Sequence, residues 1–338
     1  MIDERGKDLI FLISQPRAGS TLLQLMLSGH SGIATTSEPW IAMHPLYAFR
    51  EGGVYSEYDS SQGRLALGDF LKQGGMDEAF YRKQIAFFLS SLYARAASHQ
   101  GKGIFLDKTP RYYYIIDELV EIFPEAKFII LLRNPLAVLN SILKTWVKDN
   151  IQFLGYYRDD LLLAPVKLID GIKKHPLSCH GIQYEELVSK PGEILKEACS
   201  FLGIGYEPAM LEYGGRNMPD WKLGDPVGVH KASRPTPNSL DSWKKGLVSP
   251  QEKLLAASYL ASLGPKTVKR MGYDYNGLKS ALGEPCASGE GMVSWEEAMS
   301  NFNNFAFDDI KKQRDALLNS LSWKITAPLR VLLNMIKK

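Results

Sequence analysis

The chain has 338 residues, 45% of them hydrophobic and 23% charged, which suits one large α/β domain with an appendage or two modest domains. A net charge of only +3 argues against a general polyanion binder, so nucleic acid is not an expected partner, yet the small surplus can gather in one pocket. Three cysteines (Cys179, Cys199, Cys286) and six histidines show no metal-ligand spacing, so neither a disulfide framework nor a metal centre is expected.

Met1 is followed by Ile-Asp-Glu-Arg-Gly-Lys-Asp, which lacks the apolar stretch of a cleaved leader, and no run reaches about 18 apolar residues. A soluble, cytoplasmic protein is expected. "LIFLIS" (9–14) reads as a buried strand and Ser20 to Gly29 as a helix closed by its glycine. Ile41 to Gln100, Tyr- and Gly-bearing and partly helical, reads as a lid or substrate-cap insertion. "GIFLDKTP" (103–110) is a second strand running into a polar loop, and "RYYYIIDELVEIF" a helix after it. "KFIILLRNP" (127–135) is a third strand, followed by the helix "LAVLNSILKTWV". "HGIQYEEL" (180–187) reads as a fourth strand, leading into a helix through Phe201. Such alternation predicts a parallel sheet covered by helices on both faces, with ligands at the carboxyl ends of the strands. The expected organisation is one domain over 1–282 with its cap at 41–100, a Gly/Ser-rich linker at 283–294 and a helical tail at 295–338.

Strand, tight loop and helix together make an anion cradle, because the first turn of a helix offers unpaired N–H groups and a positive dipole end. Ser20 and Thr21 add hydroxyls, and Arg17 adds a fork suited to two oxygens. The Gly-x4-Gly-Lys-Ser/Thr string of nucleotide triphosphatases is absent. Pro16-Arg17-Ala18-Gly19-Ser20-Thr21 instead resembles the 5′-phosphosulfate loop of the sulfotransferases. "LLRNPLAVLNS" gives a second match, with Arg133 leaving a strand and Ser141 eight residues on. The chain therefore resembles sulfotransferases that use 3′-phosphoadenosine-5′-phosphosulfate (PAPS), in particular their bacterial carbohydrate and protein-tyrosine branch.

That resemblance implies the sulfotransferase fold, a P-loop-like parallel sheet flanked by helices, with a helical cap insertion and a helical tail. It implies that Arg17, Ala18, Gly19, Ser20 and Thr21 hold the 5′-phosphosulfate, while Arg133 and Ser141 clasp the 3′-phosphate. Glu38 in "IATTSEPW" would be the general base, the alternative being a loop carboxylate before Pro39. Lys108 in "LDKTP" would face the bridging oxygen or the phosphate, or else be a solvated lysine. Tyr184 would approach the nucleotide or serve only as a packed aromatic, and Lys231, with His230, would reach phosphate or adenosine from a late loop. His30 reads as a turn residue. Catalysis would be metal-independent: alignment, charge stabilisation by Arg17 and Lys108, and proton removal by Glu38. The ending "LLNSLSWKITAPLRVLLNMIKK" resembles those of surface-polysaccharide biosynthesis enzymes. Its apolar stripe with basic ends suits the inner face of a membrane or a docking groove, or else packs on the body. A hydroxyl of a polysaccharide or glycan is the expected acceptor. A protein tyrosine, a small-molecule hydroxyl, or a non-catalytic nucleotide-binding role in a polysaccharide assembly are the alternatives.

Overall fold

Six buried residues in a row form β1 (Leu9–Ser14), the pattern of a strand covered on both faces. The computed structural model describes residues 2–50, 59–213, 235, 237, 240–283 and 291–300. Helix α1 (Ser20–Leu27) follows β1, then β2 (Ile33–Thr35), a short α2 (Met43–Leu46), α3 (Ser60–Gln73) and α4 (Glu78–His99). Strand β3 (Ile104–Lys108) leads through a 3-10 stretch, Pro110–Tyr114, into α5 (Ile116–Ile122) and β4 (Lys127–Leu132). Next come α6 (Pro135–Ile142), α7 (Ala164–Lys174), β5 (Cys179–Gln183), α8 (Tyr184–Ser189) and α9 (Pro191–Leu202). The described chain closes with α10 (Ser242–Gly246), α11 (Pro250–Arg270), α12 (Tyr275–Leu282) and α13 (Trp295–Ser300).

The five strands form one sheet in the order β2-β3-β1-β4-β5, and every pairing is parallel. Alternate residues of β1 feed two cores. Ile10 and Leu12 pack with α1 and α6 on one face; Phe11 and Ile13 pack with α4 and α5 on the other. Phe11 anchors the second core, stacked on Phe128 at 5.0 Å and edge-on to Tyr93 of α4 at 6.1 Å. The last turns of the 41–100 segment therefore belong to the sheet's helical layer: Leu89, Tyr93 and Ala97 are buried there. The opposite face of α4 leaves Phe80, Phe87, Phe88 and Leu92 exposed.

Several boundaries differ from the sequence pattern. The helix expected to close at Gly29 ends at Leu27 with Ser28 as its cap. The segment "RYYYIIDELVEIF" is a 3-10 turn and then a helix, since Pro110 starts a tighter coil before Ile116. The helix after Arg133 turns π-helical over Leu143–Val147. Strand β5 stops at Gln183, so Tyr184 opens a helix, and Pro191 splits the following helical run in two. Ile33–Thr35, to which the sequence pattern assigns no element, pairs with β3. Trp295 and Met299 of α13 are buried, with Trp295 against Tyr259 at 5.8 Å. Among the described residues no helix is long and apolar enough to cross a membrane. Lys231, His230, Cys286 and residues 301–338 lie outside the described residues.

The end of β3 is tied down by a fully buried carboxyl. Asp107 accepts from the Tyr93 hydroxyl at 2.6 Å and the Thr109 hydroxyl at 2.7 Å. Burial outweighs these bonds and raises it from its ordinary 3.8 to about 6. The folded state thus binds a proton more tightly than the unfolded chain, so stability falls as pH rises through roughly 4 to 6. Asp107→Asn is expected to flatten that decline, read as urea midpoints at pH 4.5 and pH 7; an unchanged slope would assign it to other groups.

Candidate active site

The loop after β1 turns on two left-handed residues, Arg17 at φ 67° and Gly19 at φ 97°. At Gly19 a Cβ would stand 2.4 Å from the Tyr184 ring, so the position admits only glycine. The buried Ala18 donates its N–H to the Gln15 carbonyl at 3.2 Å. Helix α1 then begins with buried Ser20 and Thr21, no acidic residue in its first turn and no side-chain cap. No acidic side chain of the first turn offsets its positive end.

Arg133, just past β4, points back to this loop. Its Nη1 donates to the Arg17 carbonyl at 3.0 Å, and its guanidinium lies 4.2 Å from the centre of the Tyr184 ring. Its Nε is buried and has no acceptor among the described residues. The Arg17 side chain reaches α6 and the π-helical turn after it. Its Nε donates to Ser141 Oγ at 3.1 Å and its Nη2 to Thr145 at 3.4 Å, with the Trp146 ring 5.5 Å away. Arg17, Arg133, Ser141 and Tyr184 thus form one cluster. Arg17 and Ser141, which the resemblance assigns to opposite ends of the donor, touch directly. Tyr184 is packed against the loop and under a guanidinium at once. Behind Arg133, Glu185 accepts from the Asn134 N–H at 3.0 Å and from the Tyr273 hydroxyl at 2.6 Å, bracing the exit of β4.

A second group forms at the end of β3, the neighbouring strand. Lys108 donates to Glu38 Oε1 at 2.7 Å; the lysine side chain is fully buried and Glu38 keeps 14% exposure. Lys108 is therefore no solvated lysine. It and Glu38 form a partly sheltered ion pair, in which loss of either member leaves the other charge uncompensated. The other oxygen, Oε2, accepts from the Trp40 indole N–H at 3.2 Å. Trp40 itself sits at φ 58° and has the Arg111 guanidinium 5.8 Å from its ring. Arg111 is gripped by the buried Asp160 through both carboxylate oxygens, and Asp160 also accepts from the Tyr113 hydroxyl at 2.8 Å. The Gln15 amide reaches the Asp160 carbonyl at 2.9 Å and so joins this group to the anion loop. His30 closes its own turn, its Nδ1 accepting from the Gly32 N–H at 3.0 Å.

Sequence reasoning missed Thr145, Trp146, Trp40, Arg111 and Asp160. Only Trp40 left a signal, as the third residue of Glu38-Pro39-Trp40.

The profile of the sulfotransferase family, in its Sulfotransfer_3 form, matches residues 9–208. The chain belongs to the sulfotransferase family. The matched stretch runs from β1 past α9 and takes in both the Arg17–Arg133–Ser141 cluster and the Glu38–Lys108 pair. This sulfotransferase-family chain is 28% identical over 283 residues to nodulation protein NoeE of Sinorhizobium fredii, covering 76% of this chain and 65% of NoeE. It is 23% identical to protein-tyrosine sulfotransferase A of Caenorhabditis elegans, over 83% of this chain and 71% of that one. Among solved structures, the sulfotransferase domain of the Synechococcus PCC 7002 olefin synthase aligns at a TM-score of 0.48 and 21% identity, over 79% of this chain and 94% of that chain.

Proposed function

We propose that this chain moves a sulfuryl group from PAPS to a hydroxyl, with Glu38 as general base. The observation that carries the reading is the meeting of Arg17, Arg133 and Ser141 at the open end of α1, with the Glu38–Lys108 pair on the next strand end. The residues suit a donor with two phosphate-like ends. The buried, unmatched Arg133 Nε calls for an acceptor oxygen, and the α1 terminus calls for a negative group. PAPS, when bound, supplies the sulfuryl group and a phosphate as leaving group.

The chain's own groups then divide the work. Ser20, Thr21 and the loop N–H groups hold the 5′ end, and Arg133 selects for the 3′-phosphate, since a buried arginine left unmatched is costly. Arg17, released from Ser141, and Lys108 take up negative charge as it grows at the leaving oxygen. Glu38 draws the proton from the acceptor hydroxyl, an action worth about 10² to 10⁴ in rate. Lys231 would extend the nucleotide contacts.

The hydroxyl is assigned to a polysaccharide or glycan, an assignment supported by the tail string "SLSWKITAPLR" and its resemblance to endings of surface-polysaccharide enzymes. A tyrosyl hydroxyl is the second reading, favoured by the relative named a protein-tyrosine sulfotransferase. The test supplies [³⁵S]PAPS with cell-envelope polysaccharide or with an acidic tyrosine peptide. Label in the polysaccharide is the expected result, and label in the peptide alone would replace it. Label in neither, with tight binding of the bisphosphate product, would support a non-catalytic nucleotide-binding role.

A further inference from the structure

We propose that Trp40 is the positioning residue of the base: its indole N–H holds the second oxygen of Glu38 and so aims the carboxylate, a role that rests on Glu38 being the base. Three observations converge on it. The first is backbone cost. A bulky residue at φ 58° is a rare and unfavourable conformation, one that persists only where surrounding structure enforces it. The second is the bond itself, Nε1 to Oε2 at 3.2 Å, which complements the Lys108 bond to Oε1 at 2.7 Å. With one donor on each oxygen the carboxylate can neither flip nor swing toward Lys108 alone. The third is the buttress. Arg111 lies 5.8 Å from the Trp40 ring and is itself fixed by both oxygens of buried Asp160. A guanidinium over an indole face is attractive, and an arginine so clamped has little freedom to leave.

The arrangement has a chemical consequence. A base that is already held by two donors spends little reorganisation on finding the acceptor proton. Around Glu38 the structure sets Lys108 on β3, Asp107 adjoining it, and Arg111 across the Trp40 ring. A change confined to the indole nitrogen leaves all three in place.

The test measures the Glu38 carboxyl directly, by ¹³C NMR at one fixed pH on protein labelled at glutamate Cδ, with Glu38→Gln to assign the signal. Two variants remove the N–H: Trp40→Phe, and benzothienylalanine placed at position 40, which keeps the bicyclic ring shape. Binding of 3′,5′-adenosine bisphosphate reports that each variant is folded. The expected result is a Glu38 carboxyl signal displaced from its wild-type position in both variants at one fixed pH, the mark of a lost donor, with kcat lower by about 5- to 10-fold, the worth of about one hydrogen bond. Bisphosphate affinity stays unchanged. An unmoved carboxyl signal in both folded variants, or an unchanged kcat, overturns the proposal. Full turnover by Glu38→Gln would instead remove Glu38 as the base, a failure the carboxyl signal distinguishes because it needs no turnover.

Discussion

Arg133→Ala is expected to weaken binding of 3′,5′-adenosine bisphosphate by roughly 10- to 150-fold while leaving 5′-AMP within about twofold. The asymmetry follows from geometry. Arg133 donates to the Arg17 carbonyl through Nη1 and lies over Tyr184, while its Nε is buried with no acceptor among the described residues. A phosphate oxygen at that nitrogen makes a charge-assisted bond worth about 1.5–3 kcal/mol, which is the quoted range of affinity. AMP carries no 3′-phosphate and loses nothing there. Calorimetry with the bisphosphate, AMP and ATP reads the difference. Equal losses for bisphosphate and AMP would mean that Arg133 only supports the loop. No preference of the intact protein for the bisphosphate would remove the PAPS reading.

Glu38→Gln is expected to lower turnover by about 10² to 10⁴ with bisphosphate affinity unchanged, because the amide keeps the shape but cannot take a proton. The variant also leaves the fully buried Lys108 without a carboxylate partner. Removing one member of a buried pair outright costs about 3–5 kcal/mol, so thermal unfolding belongs beside the kinetics. The amide oxygen still accepts from Lys108 Nζ, and a loss of stability well below that range is expected. A turnover drop that tracks unfolding, and recovers at lower temperature, would assign the effect to stability. Turnover that stays low in folded protein supports the base.

What the sequence made legible was local. β1, its loop and α1 lie within a few residues of one another, as do β3 with Lys108 and β4 with Arg133 and Ser141, so strand–loop–helix chemistry marks them. What it hid was long-range or aperiodic. Three residues of β2 are too few to show alternation. In α4 exposed Phe87 and Phe88 adjoin buried Leu89, so its apolar residues mark no single face. The π-helical turns at Leu143–Val147 and Asp159–Leu163 obey no simple spacing, yet they carry Thr145, Trp146 and Asp160 to the site. Trp40 acquires its meaning only when Arg111 and Asp160 arrive from elsewhere in the chain.

The strand order bears on how the chain comes to exist at all. β1 is made first but lies at the centre of the sheet, between β3 and β4, with Leu9 opposite Phe105 and Ile10 opposite Lys127. During synthesis at about 5–20 residues per second, this apolar strand waits several seconds for its partners to leave the ribosome. Throughout that interval its hydrogen-bonding edges and both apolar faces stand open, the condition under which nascent chains associate wrongly. Pairings so distant along the chain also make for slow closure once the partners are available. The residues that build the anion loop thus follow directly on a central strand whose two neighbours are supplied only by residues 104–132.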